Sequence, residues 1–61
     1  MKEFKDIKSI SALDHTFKVS KILYAFYNDN TERYEDIEFE DENGDYHHWK
    51  LEFDSGKVNY K

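Results

Sequence analysis

Between Glu32 and Asp45 the chain reads ERYEDIEFEDENGD, and eight of these fourteen residues are carboxylates: Glu32, Glu35, Asp36, Glu38, Glu40, Asp41, Glu42 and Asp45. Carboxylates at such density can hold a divalent cation, move a proton, or display negative charge to a basic surface. Spacing tests the first. Asp41, Asn43, Asp45 and Glu52 fall at positions one, three, five and twelve of a calcium loop of the EF-hand type, but its sixth position, where glycine makes the turn, is Tyr46. The flanks also read as strands, so no metal site is expected there. His47 and His48 are adjacent, and neighbours on a strand point to opposite faces, so they cannot share one ion. No serine or histidine stands in a nucleophile or acid–base motif. The sequence therefore predicts neither an enzyme nor a cofactor. It leaves charge display, on a surface made of Tyr34, Glu35, Asp36, Glu38, Glu40, Asp41, Glu42, Asp45 and Tyr46. The two tyrosines belong to it because aromatic rings set among charges anchor protein interfaces.

Charge is unevenly distributed. Residues 1–30 hold five lysines against four carboxylates, a net of +1; residues 31–61 hold four bases against ten carboxylates, a net of −6; together they give −5. Such a surface repels nucleic-acid phosphate and anionic lipid and attracts a basic protein. The partner expected is a basic protein surface, nucleic-acid-binding enzymes included, with no direct contact to nucleic acid or membrane. Small phage-encoded inhibitors of such enzymes mimic DNA with carboxylate arrays, an analogy of charge and size alone. The second expectation is a subunit of a larger assembly, or a homodimer, joined through a helix face.

Sixty-one residues make at most one small domain, with no cysteine for a disulfide or thiolate site. No apolar run has the length of a signal peptide or membrane span, which leads to the expectation of a cytoplasmic protein. A chain this short buries only about 60% of its unfolded surface. Large side chains must supply most of the packing, and the candidates are Leu13, Phe17, Val19, Ile22, Leu23, Phe26, Tyr27, Ile37, Phe39, Trp49, Leu51, Phe53, Val58 and Tyr60.

Two kinds of element are predicted to position these residues. Ser11 with Asp14 resembles a capping box, with Asp in place of Glu. Over the next residues a 100° advance gathers Asp14, Lys18, Lys21 and Asn28 on one arc and Leu13, Phe17, Val19, Ile22, Leu23, Tyr24, Phe26 and Tyr27 on the other. Phe17, Val19, Tyr24 and Phe26 favour β structure, but strict alternation fails at Ile22-Leu23 and Phe26-Tyr27, so the reading is an amphipathic helix over 12–28. A short leading helix carrying Phe4, Ile7 and Ile10 precedes it.

After Asn30 the apolar period becomes two, with strands expected over 33–40, 46–53 and 57–61. A two-residue turn at Asn43-Gly44 would set core residues opposite polar ones. A three-residue loop with Gly44 left-handed restores parity, setting Ile37 against Trp49, Asp36 against Lys50 and Glu38 against His48. A second hairpin at Ser55-Gly56 would set Phe53 against Val58. The predicted fold class is thus α+β: a helix across a three-stranded antiparallel meander, with Trp49 at its centre and Tyr34 and Tyr46 on the wet face beside Glu38 and Glu40.

Within Tyr34–Val58, the strings from Glu38 to Tyr46 and Asp54-Ser55-Gly56-Lys57-Val58 resemble the end of a PepSY domain, which sets a helix before strands rich in Tyr, Glu and Asp and closes on a similar turn. The likeness covers under half of the chain, and the Asp stands nearer the Ser-Gly than in the family pattern. It implies a protease-associated inhibitory or chaperone-like module.

Overall fold

A computed structural model of the chain describes residues 3–61, and the fold is almost entirely β. A 3-10 turn at Phe4–Asp6 leads into β1 (Ile7–Ala12), β2 (His15–Asn28), β3 (Arg33–Asp41), β4 (Tyr46–Lys50) and β5 (Gly56–Tyr60). All pairings are antiparallel, in the order β4-β3-β2-β1-β5. The α+β expectation is overturned. No helix spans 12–28, and the leading helix is only the 3-10 turn, since Ile7 and Ile10 belong to β1.

The reason lies in β2. Its first four residues pair with β1, from Ala12↔His15 to Ser9↔Lys18, and the rest pairs with β3, from Val19↔Asp41 to Asn28↔Arg33. One strand thus serves two sheet halves. The β2–β3 ladder slips three times, twice on β2 and once on β3; on β2, Ser20 is an extra residue between the pairs Val19↔Asp41 and Lys21↔Glu40, and Leu23 between Ile22↔Phe39 and Tyr24↔Glu38. Each β-bulge adds one residue and sharpens the twist. The side chains of β2 packed against the core are therefore Phe17, Val19, Ile22, Ala25 and Tyr27, with steps of three in the middle. Steps of three are also what one face of a helix produces, so the bulges imitated a helical period.

The core comprises Ile7, Ile10, Tyr34, Ile37, Phe39 and Trp49. Leu13, expected inside, lies in the two-residue turn between β1 and β2 and is 89% exposed. Leu23 and Phe26 also lie largely outside, and Phe53 sits exposed in the turn after β4.

The β3–β4 hairpin has the expected register, with Asp36↔Lys50, Ile37↔Trp49 and Glu38↔His48, and Gly44 at φ 83°. The hairpin expected at Ser55-Gly56 is absent. β4 stops at Lys50, whose carbonyl accepts from the N–H groups of Phe53 (3.0 Å) and Asp54 (2.7 Å), and this tight turn carries the chain across to β1. There β5 pairs from Ile7↔Tyr60 to Ala12↔Gly56, and Asn59 Nδ2 donates to the hydroxyls of Ser9 (3.1 Å) and Ser11 (3.0 Å). β4 and β5 are the two edges, so the sheet coils without closing.

Trp49 is 4% exposed and packs in the centre, but its Nε1–H has no hydrogen-bond partner among the described residues. An unmet buried donor of this kind costs about 1–3 kcal/mol. Trp49→Ala should lower stability by about 3–5 kcal/mol in a denaturant melt, the range for a large buried aromatic; a wild-type midpoint would show that the ring is not central. The two glycines should differ. At Gly56, φ is 150° and a Cβ would lie 1.8 Å from the Ser11 carbonyl oxygen, whereas at Gly44 a Cβ would meet nothing within 4 Å. Gly44→Ala should cost about 1–2 kcal/mol, the strain of a left-handed residue alone. Gly56→Ala should cost more, because β5 must move off β1. Equal midpoints for the two variants would contradict this packing.

Candidate functional site

Directly opposed residues in an antiparallel ladder share a face. Three rows therefore cross the outer surface of β2, β3 and β4: Phe26–Asp36–Lys50, Tyr24–Glu38–His48 and Lys21–Glu40–Tyr46. Tyr24 is 48% exposed, Phe26 47% and the bulged Leu23 44%. An apolar row on β2 thus borders a carboxylate row on β3. Asp36, Glu38, Glu40 and Tyr46 are brought together here, as expected. Tyr24, Phe26 and Leu23 were missed, because the helical reading put them in the core.

Tyr34 is not part of this face. It is 4% exposed and packs edge-on against Tyr27, with ring centroids 5.0 Å apart. Glu35 is an extra residue between Phe26↔Asp36 and Tyr27↔Tyr34. That bulge reverses the parity of β3 and turns Tyr34 inward. Burial raises the phenol's pKa above its ordinary value, with smaller effects from nearby Tyr60 and Tyr27.

Several carboxylates are committed to structure. Glu35 accepts from Thr31 Oγ1 (2.7 Å) and Asn28 Nδ2 (3.0 Å) and faces Arg33 Nε at 3.5 Å, so it ties down the β2–β3 turn. Those contacts, the Thr31 hydroxyl first, hold its pKa below the ordinary carboxylate value. Asp41 fixes the next turn. Its Oδ1 accepts from the N–H groups of Asn43 (2.8 Å) and Asp45 (3.0 Å), and its Oδ2 lies 2.8 Å from His47 Nε2. The pKa of Asp41 is also lowered, first by His47, then by the Asp45 and Asn43 N–H groups, with burial opposing. Half-buried His47 lies on the inner side, its ring centroid 4.4 Å from that of Phe17 and 5.2 Å from that of Phe39.

On the outer face the pairing is diagonal. Asp36 Oδ1 lies 2.6 Å from His48 Nε2, while Lys50, directly opposite Asp36, holds its ammonium over the Phe53 ring, 5.4 Å from the centroid. Glu38 accepts a 2.6 Å hydrogen bond from the Tyr46 hydroxyl, and that bond raises the tyrosine's pKa. Among the described residues the carboxylates of Glu40, Glu42 and Asp45 make no ion pair or side-chain hydrogen bond. Glu42 and Asp45 flank the hairpin tip, and Lys21 stands opposite Glu40 without reaching ion-pair distance.

No group of three or more His, Asp or Glu among the described residues is arranged to hold a metal ion. No helix there is long and apolar enough to cross a membrane. The outer face of β2, β3 and β4 thus offers carboxylates beside exposed rings. In comparisons with known proteins, no family model, curated protein or solved structure matches this chain. The helix that a PepSY domain sets before its strands has no counterpart among the described residues.

Asp41 supplies a pH test. A carboxylate whose pKa falls on folding adds stability above its unfolded pKa and loses it as pH drops through the folded value. Asp41→Asn should therefore be less stable than wild type at neutral pH, with the gap narrowing as acid protonates the wild-type carboxyl. Denaturant melts at neutral pH and at about pH 3 check this. A gap that is the same at both would show that the charge on Asp41 contributes nothing.

Proposed function

We propose that this chain is a small binding module that docks on a basic protein surface through the outer face of β2, β3 and β4 and the adjoining hairpin tip, and so inhibits or modulates its partner. One observation carries the reading: the exposed row of Leu23, Tyr24 and Phe26 lies flush against the carboxylates of Asp36 and Glu38. Rings supply contact area at a low entropic cost, and carboxylates beside them select a partner rich in arginine. Six carboxylates on the face and tip (Asp36, Glu38, Glu40, Asp41, Glu42 and Asp45) stand against Lys21 and Lys50. Of the six, Glu40, Glu42 and Asp45 are free to meet incoming cations, Asp36 and Glu38 can exchange an exposed internal partner for an arginine, and Asp41 holds the tip in shape. Tyr34 and Glu35 serve the framework and not the contact. A nucleic-acid-binding enzyme fits as target, since its groove already accepts an array of anions. A cytoplasmic setting suits such a target.

Homodimerisation through β2 has the same exposed row in its favour. Stacking this face on a second copy, however, would bring Asp36, Glu38 and Glu40 against their own kind, and like charges juxtaposed across an interface cost several kcal/mol. A basic partner meets no such penalty.

The test uses a labelled arginine-rich peptide, with anisotropy read at low and at physiological salt. The triple variant Glu38→Lys, Glu40→Lys, Glu42→Lys should bind at least about tenfold more weakly at low salt and lose its salt dependence. Tyr24→Ser should weaken binding while keeping the wild-type salt slope. Unchanged affinity for a folded triple variant would remove this surface from consideration.

A further inference from the structure

The chain has four asparagines, Asn28, Asn30, Asn43 and Asn59, and the structure sets one of them apart. Asn28 Nδ2 donates to Glu35 Oε1 at 3.0 Å while Asn28 Oδ1 accepts from the Asn30 N–H at 2.8 Å, so that side chain is held at both ends. Asn59 Nδ2 is held by the hydroxyls of Ser9 and Ser11. Asn30 precedes Thr31, whose β-branched side chain crowds its own backbone nitrogen. Asn43 differs on every count. It is exposed at the tip of the β3–β4 hairpin, its side-chain amide makes no hydrogen bond among the described residues, and the residue after it is Gly44.

That pair of residues can react with itself. The backbone nitrogen of Gly44 closes a succinimide ring when it bonds to the side-chain carbon Cγ of Asn43. Glycine has no Cβ to block the closure, and the space at Gly44 is open, since a Cβ there would meet nothing within 4 Å. One contact opposes the reaction: the Gly44 N–H donates to the Asp41 carbonyl at 3.0 Å. The Asp41 side chain braces that arrangement, because its Oδ1 accepts from the N–H groups of Asn43 and Asp45 and its Oδ2 lies against His47 Nε2. The nitrogen can attack only when the Gly44 peptide swings away from the Asp41 carbonyl. Exposed loop tips open locally at a small fraction of the global unfolding free energy. The clasp therefore slows the reaction without abolishing it.

We propose that Asn43 is a site of spontaneous deamidation, held in check by the Asp41 clasp. The Gly44 nitrogen loses its proton to solvent and bonds to Cγ, the Cγ–Nδ2 bond breaks, and ammonia leaves after taking a proton from solvent. Water then opens the ring at either carbonyl, giving aspartate when it attacks Cγ and isoaspartate when it attacks the backbone carbonyl. One water is consumed, one ammonia is released, and nothing is oxidised or reduced. Either product adds a negative charge beside Glu42 and Asp45, in a chain whose net charge is already −5. Isoaspartate also routes the main chain through its Cβ, lengthening the loop that sets Ile37 opposite Trp49. The reaction needs no partner, so it and the docking face can each fail alone.

The test incubates the full chain in mildly alkaline buffer and maps its peptides by mass spectrometry over time, with isoaspartate scored by enzymatic methylation. A free peptide of residues 40–46, incubated alongside, gives the rate without the clasp. Conversion in the full chain should be fastest at Asn43 and about tenfold slower there than in the peptide, the protection expected of a shallow local opening. Asp41→Ala removes the acceptor of two loop N–H groups and should bring the rate at Asn43 at least about threefold closer to that of the peptide. Tryptophan fluorescence checks that this variant is folded; if it is not, the rates of the wild-type chain and the peptide decide alone. A rate at Asn43 no higher than at Asn28, Asn30 or Asn59, a wild-type rate equal to that of the peptide, or an unchanged rate in folded Asp41→Ala would each overturn the proposal.

Discussion

Everything in this fold hangs on the backbone of β2. It is the one strand shared by both halves of the sheet, pairing with β1 through its first four residues and with β3 through the rest. In so few residues a flat sheet would leave one side of the core in water. The bulges at Ser20 and Leu23 sharpen the twist and coil the sheet over its own core. Ile10, Ile37 and Phe39 become fully buried without any second layer. The same distortion decides the surface, for Leu23 is outside because it is a bulge residue, and Tyr24 and Phe26 are outside because the bulges set the phase of the strand there.

What the sequence revealed follows from how local each signal is. The β3–β4 hairpin was legible down to its register, because alternation over Asp36–Glu40 and the left-handed Gly44 leave one loop length consistent with a buried Trp49. The opposite facing of His47 and His48 follows from the same alternation, with His47 opposite the buried Phe39. β2 was not legible. A bulge leaves no residue-type signature of its own, and two of them three residues apart copy the spacing of a helix. Tyr34 was misplaced for the same reason, since the extra residue Glu35 reverses the parity of β3 just before it. The partner of β5 was hidden for another reason: nothing near Gly56 says that it lies against Ser11, some forty-five residues away.

The acidic run looks different once its partners are counted. Glu35 and Asp41 hold turns, Asp36 leans on His48, and Glu38 accepts from Tyr46. Much of the negative charge therefore organises the hairpin that carries it, and the outward-facing remainder is concentrated at Glu40, Glu42 and Asp45. Exposed pairs of this kind contribute only about 0–1 kcal/mol each, so Asp36 and Glu38 are held in place without being locked away from other cations. Charge and exposed rings then act on the same few square nanometres, the combination on which the proposed docking rests.

The pairing of β1 with β5 has a consequence for the order of assembly. β1 borrows part of its support from β2, two residues further along, but its other side stays bare until a strand about fifty residues later arrives. Closing so long a loop is entropically slow compared with forming a hairpin. During synthesis the β2–β3–β4 part can take shape while Ile7 and Ile10 still lack their β5 neighbours. The final step is then a zipping of β5 onto β1, locked where the Lys61 N–H meets the Asp6 carbonyl at 2.8 Å. Until that zipper engages, the nascent polypeptide exposes β1 as an unpaired edge, and this interval is when it is most open to chaperones, proteases and wrong strand partners.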